Sequence, residues 1–285
     1  MPFATLDGIA TRYEVVGSGP PLLMFSPGGF DATLEKWTTL GAYARTKPMD
    51  HLPRKYTCIV FDRRECGLSG GRVERVTWGH YVAQGHALLR HLGIERAHMM
   101  GGCMGCSPVI AYAAGHPQSV MSMILWWPVG GARYRIKGQQ RFAEHLAFVH
   151  QNGLDAVVAL VAKEGKAFSA DPRGGPWASV LKRDPEFAAA YARHDLDAYK
   201  LVVAGMSRGL LDRDTAPGAE PEDLMRLAIP ALVVPGRDES HATSAARYLE
   251  ECIPGAQYWD APPDAQTEET APPRLLEFLD KATPR

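Results

Sequence analysis

Several short stretches of the chain are apolar at almost every position: residues 22–25, 56–61, 97–100, 120–125 and 231–234. Runs of this length, apolar on both faces, predict strands of a parallel sheet covered by helices. Between them the apolar residues recur at helical spacing, over residues 82–92 and again over 109–114. Residues 3–6 and 10–16, joined through Asp7-Gly8-Ile9, predict an opening β-hairpin. Strand and helix alternate as in an α/β protein with a mostly parallel, doubly wound sheet.

That rhythm breaks between residues 131 and 227. Residues 140–151, 155–163 and 184–206 show helical periodicity with no strand-like run between them. Asp184-Pro185 has the character of a helix start, a capping residue followed by proline in the first turn. The proline- and glycine-containing stretch 215–221 is a linker leading back to the sheet. We therefore expect residues 1–130 and 228–285 to form the core and 131–227 an inserted helical cap. Residues 274–281 predict a last amphipathic helix.

Composition narrows the function classes. With 31 basic and 32 acidic residues among 285, the net charge of -1 offers no field for nucleic acid or a membrane surface. No apolar window is long enough to span a bilayer, and the first residues lack the pattern of a signal peptide. The ten histidines and five cysteines show no metal-ligand spacing. The sparse, odd cysteine count fits a reducing cytoplasm. Neither a P-loop nor a dinucleotide fingerprint is present, so no nucleotide cofactor is implied. A cytoplasmic monomer or homodimer acting on a small molecule is the expectation.

Gly101-Gly102-Cys103-Met104-Gly105 follows an apolar run and precedes a helical one. A turn of this type lifts Cys103 clear of the sheet at a helix N-terminus, where the partial positive charge favours a thiolate. This is the pattern of a G-x-S-x-G nucleophile elbow with sulfur in place of oxygen, and here the chain resembles the α/β-hydrolase superfamily. Residues 92–98 resemble the family's approach to the elbow. Phe61-Asp62-Arg63-Arg64-Glu65-Cys66-Gly67-Leu68-Ser69 resembles its D-x-R-G-x-G-x-S loop, with Glu65 replacing glycine. Ser26-Pro27-Gly28-Gly29-Phe30 resembles the H-G-x oxyanion loop, with Pro27 replacing histidine, and Pro235-Gly236-Arg237-Asp238 resembles the loop of the triad acid. The resemblance implies an α/β-hydrolase fold, Cys103 as nucleophile, and an oxyanion hole built from the amides of Met104 and Gly29 or Phe30.

The family's base is a histidine after the last strand, and residues 260–269 contain none. The last histidine of the chain is His241, three residues after Asp238 at a strand end. Three accounts stay open: His241 serves Cys103 with Asp238 beside it; a carboxylate among Asp264, Glu268 and Glu269 takes the vacated place; or the site works without a base or does not turn over. A cysteine suits the first two, since a thiolate forms with modest help. Trp126 and Trp127 at a strand end, with Trp177 in the cap, either line an apolar or aromatic substrate pocket or close the core. The expected activity is cofactor-free cleavage of an ester, lactone or thioester through an S-acyl intermediate. Acyl transfer by the same cysteine, and ligand binding without turnover, are the alternatives. The Cys-elbow also resembles those of dienelactone hydrolases and polyhydroxyalkanoate synthases.

Overall fold

The computed structural model describes residues 2–283. Eight strands form one sheet: β1 (Phe3–Leu6), β2 (Ile9–Val16), β3 (Pro21–Phe25), β4 (Thr57–Phe61), β5 (Ala97–Gly102), β6 (Val120–Trp126), β7 (Ala231–Val234) and β8 (Gln257–Tyr258). Their spatial order is β1-β2-β4-β3-β5-β6-β7-β8. β1, β2 and β4 pair antiparallel; every other pair is parallel. The apolar runs are thus the central strands, and the alternating hairpin is the sheet's edge, where one face meets solvent.

Alternate residues of the central strands feed two cores, as the period-two pleat requires. Leu23, Phe25, Ile59, Phe61, Met99, Met123, Leu125 and Val233 pack beneath helices Trp78–His91, Cys106–Gly115 and Thr243–Cys252. Leu22, Met24, Cys58, Val60, Met100, Ile124, Leu232 and Val234 pack on the other face, against helix Ala271–Ala282 and the short helices around Trp37 and Tyr43.

Among the described residues no strand lies between β6 and β7. Helix Ala132–Glu164 covers two of the expected helices in one run, broken at Gly153, whose φ of 79° and ψ of 176° interrupt the spiral. It also begins earlier than its apolar periodicity shows, just after Gly131. The single helix expected over 184–206 is two, Pro185–Ala192 and Leu196–Leu210. Asp184 caps the first by accepting from the Phe187 amide, and Asp195 caps the second by accepting from the Ala198 amide. A second capping residue inside one periodic stretch is what divides it. The helix before the elbow likewise starts four residues early, at Trp78, because Thr77 and His80 form a reciprocal cap. The helical segment has its own core of Phe142, Val157, Phe168, Trp177, Tyr191 and Tyr199, and Met104, Tyr81, Phe30 and Cys103 pack into it. It therefore lies over the elbow end of the sheet.

The turn between β5 and helix Cys106–Gly115 is packed backbone against backbone. A Cβ on Gly105 would stand 2.2 Å from the Phe25 carbonyl oxygen, and one on Gly101 would stand 2.5 Å from the Gly105 carbonyl oxygen. Both obstacles are backbone, so neither can swing aside. Gly105→Ala should accordingly cost about 3 kcal/mol or more through overpacking and backbone displacement. Its denaturation midpoint should fall well below that of the exposed control Gly115→Ala, where the added methyl meets nothing within 4 Å. Equal midpoints would mean that the elbow tolerates the displacement.

Candidate active site

Cys103 sits at the apex of this turn with φ 53°, a left-handed conformation that non-glycine residues rarely adopt. The strain is held by the packed glycines on either side. The Tyr43 hydroxyl, which donates to the Trp126 carbonyl at 3.0 Å, also meets the Cys103 backbone amide. Cys103 itself is half-buried.

Opposite it stands His241, in the loop between β7 and helix Thr243–Cys252. Its Nδ1 lies 2.8 Å from both carboxylate oxygens of Asp238. The backbone joins in, with the amides of Ser240 and His241 donating to Asp238 Oδ1 at 2.8 and 3.0 Å. A backbone bridge between Gly130 and His241 ties the loop to the end of β6. The imidazole packs beside Trp127, ring centroids 5.4 Å apart and planes tilted by 54°. Nε2 is buried, without a partner at regular hydrogen-bond geometry, and the group it interacts with is the Cys103 thiol.

The charges follow from this arrangement. Burial acts to raise the Cys103 pKa, but the nearby imidazolium and the backbone amides at Gly28 and Met104 outweigh it, and the thiol is held below its ordinary value. Burial acts to lower that of His241; the Cys103 thiolate and Asp238 reverse the effect and lift it to about 10. Asp238, hydrogen-bonded to His241, falls to about 2. Each group therefore favours the charged form of the other: His241 lowers the Cys103 thiol, and Cys103 raises the His241 imidazole. The other cysteines go the opposite way: burial pushes Cys58 and Cys66 up to about 12 and raises Cys106 and Cys252. Cys106 is also occupied, its Sγ donating to the Gly101 carbonyl at 3.2 Å.

Several expected site residues lie elsewhere. Glu268 is held by Lys47 at 2.6 Å and His51 at 3.0 Å, while Asp264 and Glu269 are exposed; none of the three faces Cys103. From the loop after β3 the Gly28 amide reaches the sulfur. Gly28 takes φ 117° and its carbonyl accepts from Asp31, a tight turn that carries the chain onward. The Phe30 ring packs at 5.4 Å on both Phe142 and Phe168 of the helical segment. Trp126 is fully buried on the sheet face away from that segment, and Trp177 is buried within it, donating to the Arg72 carbonyl at 2.7 Å. Both are core residues rather than pocket walls. Of the three tryptophans, Trp127 stands beside His241.

The residue that occupies the loop expected to hold the base is Gln266. It is fully buried, and its four side-chain hydrogen bonds fill the amide's capacity. Oε1 accepts from Trp126 Nε1 at 3.0 Å and Trp127 Nε1 at 2.8 Å; Nε2 donates to the Pro235 and Ala261 carbonyls, each at 2.9 Å. Gln266 therefore fixes Trp127, and Trp127 backs His241. Nothing in the local sequence marks it, because a glutamine in a polar loop has no pattern of its own. Tyr134, near the start of helix Ala132–Glu164, also lies within electrostatic reach of Cys103.

A sequence model of the alpha/beta hydrolase fold matches residues 21–239. The chain belongs to that family. It is 31% identical over 128 residues to the dihydrolipoyllysine-residue acetyltransferase component of the acetoin cleaving system of Cupriavidus necator, a match spanning 45% of this chain and 32% of that protein. It is 34% identical over 114 residues to a fluoroacetate dehalogenase of a Burkholderia species, spanning 38% and 34%. The chain thus matches about a third of the length of these curated relatives. Among solved structures, an esterase from Thermogutta terrifontis superposes with a TM-score of 0.64 at 19% identity, covering 99% of this chain and 98% of that one. An enol-lactonase from Burkholderia xenovorans superposes with a TM-score of 0.61 at 20% identity, covering 98% and 100%. These likenesses carry the fold. Among the described residues no helix is long and apolar enough to cross a membrane, and no group of His, Cys, Asp or Glu is placed to hold a metal ion.

A lowered thiol pKa has a direct signature. Alkylation of Cys103 by iodoacetamide should stay fast down to pH values well below the ordinary thiol value of about 8.5. Asp238→Asn removes the charge that sustains the imidazolium, so the inflection of the rate-against-pH curve should move upward by about one to two pH units. A wild-type inflection near pH 8.5, unmoved in the variant, would contradict this mutual shift.

Proposed function

We propose that this protein is a cysteine hydrolase that cleaves an ester, lactone or thioester through an S-acyl intermediate on Cys103. The observation that carries the reading is the Cys103–His241–Asp238 constellation at the apex of a strained elbow: nucleophile, proton carrier and orienting acid in sequence, each within reach of the next.

In the forward step the Cys103 thiolate attacks the acyl carbonyl and the C–S bond forms. The developing oxyanion is received by the Met104 amide and by that of the loop after β3, the two directions from which amides already reach the sulfur. The imidazolium of His241 gives its proton to the departing oxygen or sulfur as that bond breaks. His241, now neutral, takes a proton from water, whose oxygen attacks the S-acyl carbon; the acid leaves and the thiolate returns. Asp238 keeps Nδ1 protonated, so that Nε2 faces the reacting atoms. No carboxylate after β8 is needed as a base, and the engagement of Glu268 with Lys47 and His51 speaks against one.

With a 4-nitrophenyl ester, a burst of one equivalent of nitrophenol should precede steady turnover, and mass spectrometry should find the acyl group on Cys103. Cys103→Ala should lose kcat by at least about 10³-fold. His241→Ala should also be severely impaired, whereas Glu268→Gln should keep near wild-type rates. Retained turnover in Cys103→Ala, or collapse in Glu268→Gln with His241→Ala unaffected, would refute the assignment. Dependence of product formation on an added alcohol or thiol would instead make the enzyme an acyltransferase.

A further inference from the structure

Arg63, just after β4, is 1% exposed, yet its Nε and Nη1 have no hydrogen-bond partner among the described residues. Nη2 lies 3.9 Å from the Met104 sulfur, the residue next to the nucleophile, and the guanidinium carbon lies 4.6 Å from the centre of the Tyr81 ring. A guanidinium does not lose its proton in a protein, so this is a buried positive charge faced by a thioether and an aromatic ring. The surrounding acids are engaged elsewhere. Asp62 accepts from the Leu34 and Leu68 amides and pairs with Arg12; Glu65 pairs with Arg64 at 2.9 Å; Glu74 also bonds Arg64; Asp31 pairs with Lys36. Buried charges of this kind are normally matched by an opposite charge.

The guanidinium borders the residue next to Cys103. Tyr81 and Met104 belong to the same packed cluster as Cys103 and Tyr134, and the Tyr134 phenol lies within electrostatic reach of Cys103, Arg63 and Arg141 together. We propose that Arg63 receives a carboxylate carried by the acyl half of the substrate, so that the natural substrates are half-esters, lactones or thioesters of dicarboxylic type. The acyl half is assigned because it stays on Cys103, beside Met104, after the leaving group departs. One guanidinium matches one carboxylate in charge, and its N–H groups supply the donors that a carboxylate needs. This inference rests on Cys103 as the acylated residue, but the charge match itself does not require turnover.

Binding therefore tests it separately from catalysis. Calorimetry on Cys103→Ala protein should show the monomethyl esters of succinate, glutarate or adipate, at whichever length fits, binding at least about tenfold more tightly than the corresponding dimethyl esters. Adding Arg63→Met should abolish that preference, and Arg63→Lys, which keeps the charge, should retain part of it. A cooperative thermal transition in each variant ensures that lost binding is not lost folding. In the Cys103-intact enzyme, the ratio of kcat/KM for 4-nitrophenyl hemiglutarate to that for 4-nitrophenyl butyrate should fall about 10- to 100-fold in Arg63→Met. Equal binding of mono- and dimethyl esters, or the same preference in Arg63→Met, would overturn the carboxylate assignment while leaving the cysteine mechanism standing. Tighter binding of inorganic phosphate than of any mono-ester would overturn it in favour of a phosphate group. Selective binding in a protein without ester turnover would uphold Arg63 and refute the hydrolase reading.

Discussion

The close approach of backbone to backbone beneath the elbow is the constraint on which the site rests. Phe25 at the end of β3, Gly101 at the end of β5 and Gly105 at the start of the next helix meet with no room for a side chain. That contact fixes the turn, and the turn holds Cys103 at a positive φ against its preference. From this position the sulfur stands at the carboxyl edge of the sheet, where loops after β3, β6 and β7 converge. The amides of Gly28 and Met104 and the ring of His241 can reach one atom only because that atom is held out from the sheet.

Around the sulfur, charge is organised in a chain. Asp238, steadied by two backbone amides, keeps the imidazole oriented, and the imidazole lowers the pKa of the sulfur. A serine in the same position would need a base to strip its proton, whereas a thiol whose pKa its neighbours already lower needs less help to ionise. The positioning of His241 depends in turn on a neutral network. Gln266 locks Trp127 by its indole N–H, and Trp127 backs the imidazole. The loop after β8, where the family pattern places a histidine, thus contributes here a positioning residue instead of a titrating one.

Glu65 shows how a departure from the family pattern is accommodated. It occupies, at φ 65°, a backbone position that glycine takes readily, and its buried carboxylate is raised to about 7 by burial even with Arg64 beside it. Its engagement with Arg64 leaves Arg63 without an acid of its own. The two adjacent arginines are alike in sequence and opposite in circumstance: one is matched inside the fold, the other is not.

The strands, the doubly wound arrangement and the elbow were legible in the sequence because each follows from local properties: apolar runs too short for helices, and glycines spaced about a cysteine. Asp238 and His241 were legible as a pair, being three residues apart at a strand end. Helix boundaries were less so, since caps such as Thr77 with His80 and Asp195 outrank periodicity in deciding where a helix begins. What periodicity and motif could not decide was which distant side chains share a space. The pairing of His241 with Cys103 spans 138 positions, the engagement of Glu268 by Lys47 and His51 more than 200, and the filling of the vacant histidine position by Gln266 rests on two tryptophans over a hundred residues away. Trp126 and Trp127 are neighbours in the chain, yet the pleat sends the first into the core, and a positive φ of 55° turns the chain at the second and sets it beside His241. Composition records that a charge exists; only the packed structure determines whether it is paired, exposed or buried without an opposite charge beside it.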